Sequence, residues 1–333
     1  MHMADALVIP AVAGTMYACS TIVAGYSTKK VKLEKEPKKI PVMGIMGAFV
    51  FATQMINFTI PGTGSSGHLC GGILLSALLG PFAGFLTMIG VLLIQCLLFA
   101  DGGILALGCN IWNMAFYGCF IGSMLIWRPM MRGGANKRKI IVASILGCVI
   151  TLQMGAFSVV LETWSSGISD LPFQTFLAVM QPIHLAIGLV EGVITAAVIC
   201  FVYEARPELL WGVGDSESKK EGKISFQKTI LILSAVATVI AGALSLLASE
   251  YPDGLEWSIE KITGSTEIQA SGSIYKMASK IQEATALLPG YSFKNSDSVS
   301  GTSFSGLIGG VVVLCVCIGV CYLVKFYRKL RMK

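Results

Sequence analysis

Charge is scarce in this chain: only 13% of its 333 residues are Asp, Glu, Lys or Arg, while 54% are hydrophobic, and the mean hydropathy is +0.72. So little charge cannot solvate the surface of a water-soluble domain of this length, so the composition describes an integral membrane protein. Ten-residue segments of alternating polarity are also missing, which excludes a transmembrane β-barrel. The apolar runs are instead long, unbroken and rich in Gly and Ala, so the expected fold is all-α, a polytopic membrane helix bundle. No Cys-x-x-Cys occurs among the ten cysteines; nine fall within apolar runs and Cys70 at the edge of one, which reads as packing and not redox chemistry. No GxxxxGK[ST] occurs either, so the chain does not hydrolyse ATP through a P-loop. The start has no basic stretch ahead of its first apolar run, unlike a cleaved secretory signal, and Met1 is expected to be the mature N-terminus.

Apolar windows of about 20 residues predict nine spans, near 8–26, 40–57, 69–80, 82–100, 104–127, 140–161, 184–203, 228–248 and 304–325. The third, "LCGGILLSALLG", is too short to cross a hydrocarbon core of about 30 Å at about 1.5 Å per residue, so the loop before it must complete it. Of the 25 Lys and Arg residues, 21 fall in "STKKVKLEKEPKKI", "RPMMRGGANKRK", the 204–228 stretch and the C-terminal tail. Placing those four segments in the cytoplasm puts the N-terminus outside, with the remaining four cations in the loop between spans eight and nine.

Three outer elements then carry chemistry. The uncharged, glycine-rich stretch 58–68, "FTIPGTGSSGH", holds Ser65 and Ser66 and ends in His68, one of three histidines in the chain. At membrane depth its backbone must be buried in protein or line a cavity. The second, "ADGGILALGCNIWNM", turns at Asp101 and carries Asn110 and Asn113 into the fifth span. The third, "HLAIGLVEGVITA", puts His184 and Glu191 seven residues apart on one helix face, and an acid inside a span is a candidate for function. Asp5 reads as an N-cap for the first span.

"MH" at the start offers a chelate. The Met1 amine, the His2 amide nitrogen and the His2 imidazole close a five- and a six-membered ring on one cation, and His68 could supply a fourth nitrogen. Four nitrogens in a plane select Ni(II) or Cu(II), and binding must release protons. The simpler alternatives stay open: His2 as chance or an expression scar, His68 and His184 as hydrogen-bonding imidazoles, Glu191 as a structural partner. A different class of function, a membrane-embedded metalloenzyme or thiol oxidoreductase using His2, His68, Cys70 and Glu191, lacks both a Cys-x-x-Cys and a three-histidine cluster. A channel is disfavoured because such a chelate would hold its ion too tightly.

"MHMADAL", "PGTGSSGHLCGGILLSALLGP", "DGGILALGCNIWNMAFYG" and "HLAIGLVEGVITA" together resemble the CbiM/NikM family, the substrate-binding components of nickel and cobalt energy-coupling-factor transporters. The resemblance implies a seven-helix core over 1–204, no enzymatic activity or catalytic cofactor, transported Ni(II) or Co(II), and metal ligands at Met1, His2 and His68. Ser65, Ser66, Asp101, Asn110, Asn113, His184 and Glu191 are then candidates for the surroundings of the metal or its path. "YPDGLEWSIEKI" resembles the PDGLE motif of the small CbiN/NikN companion, so 228–333 reads as a fused companion with two transmembrane helices and an extracytoplasmic loop, 249–303, after a cytoplasmic linker at 205–227. The implied partners are a CbiQ/NikQ-like transmembrane coupling subunit and CbiO/NikO-like cytoplasmic ATPases, in the cell (inner) membrane. Gly14 and Ala18, a small-xxx-small pair on the first span, could serve as a docking surface or pack within the chain. Many cobalt members carry a His-Gly-Gly turn where this chain has Asp101, which leaves the role of that turn open. Nickel against cobalt stays undecided.

Overall fold

A computed structural model describes residues 1–31, 33, 38–168, 170–213, 222–294 and 299–331. The middle of the 205–227 linker, part of the first basic segment and the tip of the 249–303 loop lie outside the described residues.

The chain is a membrane helix bundle, as its hydropathy requires. Helices α1 (Pro10–Lys30) and α2 (Lys39–Gln54) come first. The stretch expected to be irregular then forms a small antiparallel hairpin, β1 (Phe58–Ile60) with β2 (Ser65–Gly67), in the register Phe58 to Gly67. Helix α3 (Gly72–Leu79) follows it and is only eight residues long, with every residue buried. It spans about 12 Å, and the hairpin lies directly before it in the chain.

Next come α4 (Pro81–Phe99), α5 (Leu107–Met131), α6 (Lys137–Ser165) and α7 (Phe173–Ala205). Much of α5 is wound wider than an α-helix, and at its inner end Arg128 N donates to Ser123 O, five residues back. Helix α7 begins eleven residues before the predicted span and runs through Pro182. Gln153 of α6 and Gln181 beside that proline donate amide N–H groups to each other's backbone carbonyls, so a polar, proline-bearing turn that reads as a boundary in sequence is helical here.

The α6/α7 pair is the most extensive in the fold. Gly188 and Gly192 of α7 make it possible: a Cβ at either would lie 3.0 Å from the Val149 Cα or 2.6 Å from the Ile145 Cα across the interface. The opposite face of α7 exposes Leu185, Leu189 and Val193 at helical spacing, an apolar stripe suited to lipid.

After the linker, α8 (Phe226–Gly242) leads to a segment carrying α9 (Gly254–Thr263) and α10 (Ser273–Thr285), and the chain ends in α11 (Val299–Arg331). Both α8 and α11 pack on α2. Among the described residues five helices are long and apolar enough to cross a membrane: α4, α5, α6, α7 and, over Ser300–Phe326, α11. Helices α2 and α8 are apolar but shorter.

Candidate metal centre

The first nine residues turn into the bundle mouth, where Met1, Met3, Leu7 and Val8 are buried. What seats them is Asn110. Its Oδ1 accepts from Met3 N at 2.7 Å and its Nδ2 donates to Met3 O at 3.2 Å, the pairing a neighbouring β-strand would make. Gly103 N adds a bond to Met3 O at 2.9 Å. Asp5 is not the N-cap of α1. That position is Ile9, which makes no side-chain cap, while Asp5 Oδ1 accepts from Ala106 N at 3.1 Å and so ties the N-terminal segment to the turn before α5.

Held this way, the Met1 amine lies 2.9 Å from His68 Nε2 and 2.5 Å from Asp253 Oδ2. His68 Nδ1 faces the Leu69 carbonyl at 3.0 Å. A carbonyl only accepts, so Nδ1 carries the ring proton and Nε2 turns its lone pair to the amine. Asp253 has a double use. Its Oδ1 accepts from Leu255 N and Glu256 N and, with Glu256 reaching back to Asp253 N, forms a capping box that starts α9. Its Oδ2 neutralises the amine. Burial alone would depress the amine's pKa, but the Asp253 carboxylate outweighs it and holds the group above the usual amine value. Burial likewise works against the Asp253 charge, yet the ammonium holds its carboxyl well below the usual range.

His2 stacks on His68 with ring centroids 5.0 Å apart. Its Nδ1 lies 3.1 Å from Asp101 Oδ1 and its Nε2 3.2 Å from Gln95 Oε1. Tyr291 closes a ring around it, donating to Asp101 Oδ2 at 2.5 Å and accepting from Gln95 Nε2 at 3.3 Å. Burial, which outweighs Asp101, pushes His2 down to about 4, so the imidazole is neutral at physiological pH. The turn whose role the sequence left open thus places Asp101 on His2.

Asn113 and the serines stand further back. Asn113 Nδ2 donates to Glu162 Oε2 at 2.7 Å and touches Met3 Sδ at 3.6 Å. Ser65 and Ser66 do not face the histidines: Ser66 N and Oγ donate to Pro252 O and Tyr251 O, and Ser65 Oγ donates to Ser66 O, stitching the hairpin to the segment before α9. Glu191 is fully engaged, its two oxygens accepting from Cys70 N and Gly71 N at 2.9 Å each. It fixes the backbone directly after His68 and is not free to act as a base. His184 donates through Nδ1 to Met180 O at 2.8 Å.

Sequence reasoning missed Asp253, Gln95, Tyr291 and Gln282 as members of this constellation. Gln95 had a signal, a lone amide in the apolar run "VLLIQCLLF". Asp253 lay in a motif already singled out, but nothing local to it pointed to a partner 252 residues away. Gln282 of α10 donates to Gly102 O and Cys96 O, Trp257 Nε1 donates to Thr63 O, and Tyr275 donates to Val8 O. The segment between α8 and α11 therefore closes over the N-terminus, the hairpin and the Asp101 turn at once. A cavity of about 740 Å³, lined by Asp5, Asp101, Asp253, Glu256 and Glu267, leads from its outer surface to His2. Among the described residues no three His, Cys, Asp or Glu side chains form a ready-made cluster for a metal ion.

Residues 2–209 match the family described as the cobalt uptake substrate-specific transmembrane region, and residues 227–326 match the PDGLE domain. A putative fused nickel transport protein NikMN of Archaeoglobus fulgidus is 34% identical over 95% of this chain and 96% of its own. The fused nickel transport protein NikMN of Rhodobacter capsulatus is 26% identical over 79% and 77%, and the cobalt transport protein CbiM of Geobacter sulfurreducens 28% identical over 67% and 65%. The crystal structure of a truncated transition metal transporter is 32% identical, covering 61% of this chain and 98% of that one at a TM-score of 0.53.

Proposed function

Because the chain belongs to the CbiM family of substrate-specific transmembrane proteins, with a PDGLE domain following in the same polypeptide, we propose that it binds Ni(II) or Co(II) through the Met1 amine, the His2 amide and Nδ1, and His68 Nε2. It is a metal transport protein of the CbiM/NikM kind, and it works as the substrate-binding component of an energy-coupling-factor transporter in the cell membrane. One observation carries the choice of ligands: the Met1 amine and His68 Nε2 stand 2.9 Å apart. Two neighbouring nitrogens of a square plane with bonds of about 2.0 Å stand about 2.8 Å apart. The spacing of the two groups therefore suits adjacent corners of such a plane.

His2 completes the plane after one internal change. Moving its single ring proton to Nε2, where Gln95 Oε1 accepts it, bares Nδ1 and releases it from Asp101. The ion then replaces one proton on the amine and one on the His2 amide. Because two positive charges enter and two leave, the pocket keeps the net charge that Asp253 balances. Asp253 is thus a standing counter-ion for the empty and the loaded site alike.

The ATP-hydrolysing subunits and a transmembrane coupling subunit are separate chains, consistent with the missing P-loop. Gly14 and Ala18 are exposed on α1, and the space beside Gly14 is open, which supports that face for the coupling subunit. Residues 1–204 form the metal-binding core, 205–227 a cytoplasmic linker, and 228–333 the companion part whose loop seals the site from the outer side, where the N-terminus lies.

The test is competitive binding of Ni(II) and Co(II) to the purified chain, beside the variant His2→Ala. The substitution removes the imidazole and with it the six-membered ring, and leaves the amine and the amide in place. One-to-one binding that the substitution weakens by orders of magnitude supports the ligand set, and the preferred ion identifies the cargo. Unchanged affinity rejects it.

A further inference from the structure

Behind the Met1 amine and His68 lies a small cavity of about 10 Å³, also lined by Cys70, His184 and Asp253. Such a space takes about one water-sized occupant, so it admits a bare metal ion and not a hydrated one. A second cavity of the same size, lined by Cys70, Asn113, Thr151 and Glu191, shares Cys70 and Leu152 with the first and continues it between α3, α5, α6 and α7.

His184 is placed in the first cavity in an unusual way. It is 1% exposed, yet its Nε2 has no hydrogen-bond partner. Its Nδ1 faces the Met180 carbonyl at 2.8 Å, which fixes the proton on Nδ1 in the neutral ring and leaves Nε2 a bare lone pair. A buried unpaired acceptor is costly, and a metal-binding histidine is normally oriented by just this bond from its other nitrogen to a carbonyl. Gly254 lies against that edge of the ring: a Cβ there would sit 3.4 Å from Nε2 and 2.8 Å from Ile187 Cδ1. Glycine here lets the turn at Asp253 lie close over the histidine and Ile187. In the second cavity the orphaned atom is again an acceptor, Asn113 Oδ1. Lone pairs without donors, one behind the other, suit a cation.

Resting on the chelate reading above, we propose that His184 is a transit ligand: an ion leaving the N-terminal nitrogens is held next by His184 Nε2, with His68 as the nitrogen common to both positions and Asp253 beside it. A transit position has to hold its ion weakly enough to pass it on, which agrees with donors that surround the space without forming a finished cage.

Co(II) alone is the probe, because its visible absorption rises sharply when it is four-coordinate with nitrogen donors. In His2→Ala the N-terminal chelate is disabled and the inner position, which uses no atom of His2, remains. Weak residual Co(II) binding with that absorption is expected, and His184→Asn on this background lowers its affinity at least tenfold. Asparagine retains an N–H for Met180 O and removes Nε2 with its lone pair, so a histidine needed only for that bond would tolerate the change. In the chain with its native N-terminus, His184→Asn leaves Co(II) affinity within about twofold. Residual binding that is absent, or that His184→Asn leaves unchanged, overturns the proposal. Should the asparagine variant lose its fold, seen as a shifted thermal transition, His184→Gln, which puts an amide near Nε2, must weaken residual binding by less than His184→Ala does, and equal losses also overturn it. Failure of the chelate reading is visible separately, as a His2→Ala substitution that does not weaken binding.

Discussion

Replacing Asp253 by asparagine should change how many protons the site releases when it takes up an ion. In the native chain at pH 8 the Met1 amine is protonated, because Asp253 holds its pKa above 8.0, the ordinary value. His2, at about 4, is neutral, and His68 presents a lone pair. Loading therefore expels two protons, one from the amine and one from the His2 amide, and affinity rises about a hundredfold per pH unit. In Asp253→Asn the carboxylate that raised the amine is gone, and burial, which lowers it, acts without that opponent. Leaving a buried charge unpaired costs about 3–5 kcal/mol, and the amine avoids that by discharging. Only the amide proton is then left to expel, so the release falls from two toward one and the pH dependence toward about tenfold per unit. Affinity at pH 8 falls too, since the loaded site now carries an uncompensated positive charge. Asparagine still accepts from Leu255 N and Glu256 N, so α9 keeps its cap. Titration calorimetry in buffers of different ionisation enthalpy counts the protons directly. A native chain that releases fewer than two, or a variant that releases as many as the native chain, refutes the charge balance. The sign of the linkage fits the same picture. The raised amine stabilises the closed N-terminus below its unfolded value of about 8 and ceases to as pH climbs through its folded one, whereas the depressed Asp253 does so above about 4 and fails only as pH drops through its own folded value.

Asn110→Ala leaves the buried N–H of Met3 without its acceptor and costs its carbonyl one of two donors, at about 1–3 kcal/mol for each group left unmet. Metal affinity should drop at least tenfold by calorimetry while the thermal transition of the bundle moves little. Glu191→Gln keeps one acceptor oxygen but sets an amide N–H₂ against a backbone N–H, so hydrogen exchange at Cys70 and Gly71 should accelerate at least tenfold. Unaltered protection there would show that Glu191 does not anchor the His68 backbone. Deleting most of the 249–303 segment removes Asp253, Gln282 and Tyr291 together, and it should leave membrane insertion intact and abolish metal uptake. Normal uptake by the deletion would show that the companion part is dispensable.

The helices were legible because the bilayer forces apolar length on them: the regions of α4, α5 and α6 follow from hydropathy alone. Helix α7 was read too short because Gln181 and Pro182 look like a boundary, and only Gln153 on the neighbouring helix makes them helical. The hairpin in 58–67 was read as a loop because its strands are three residues each and one of them, "SSG", has no strand-like side chains. Its order comes from pairing with Tyr251, Pro252 and Asp253 across the fold. The same division runs through the site. That Met1, His2 and His68 would meet could be proposed from coordination chemistry, which depends on residue types and ring sizes. Asp101, Asp253 and Tyr291 could not be assigned to them, since their roles exist only where distant segments meet.

That division explains why the companion part matters to the chemistry and not only to access. A terminal ammonium buried beside two histidines would be unstable without a carboxylate, and none of the residues the N-terminal core places against the amine supplies one. Asp101 comes from the core but is taken up by His2 and Tyr291. The missing charge comes from Asp253, whose two oxygens do different work: one starts α9 and the other faces the amine. Docking the loop therefore also pairs the amine. A chain that loses the loop leaves that ammonium without its carboxylate.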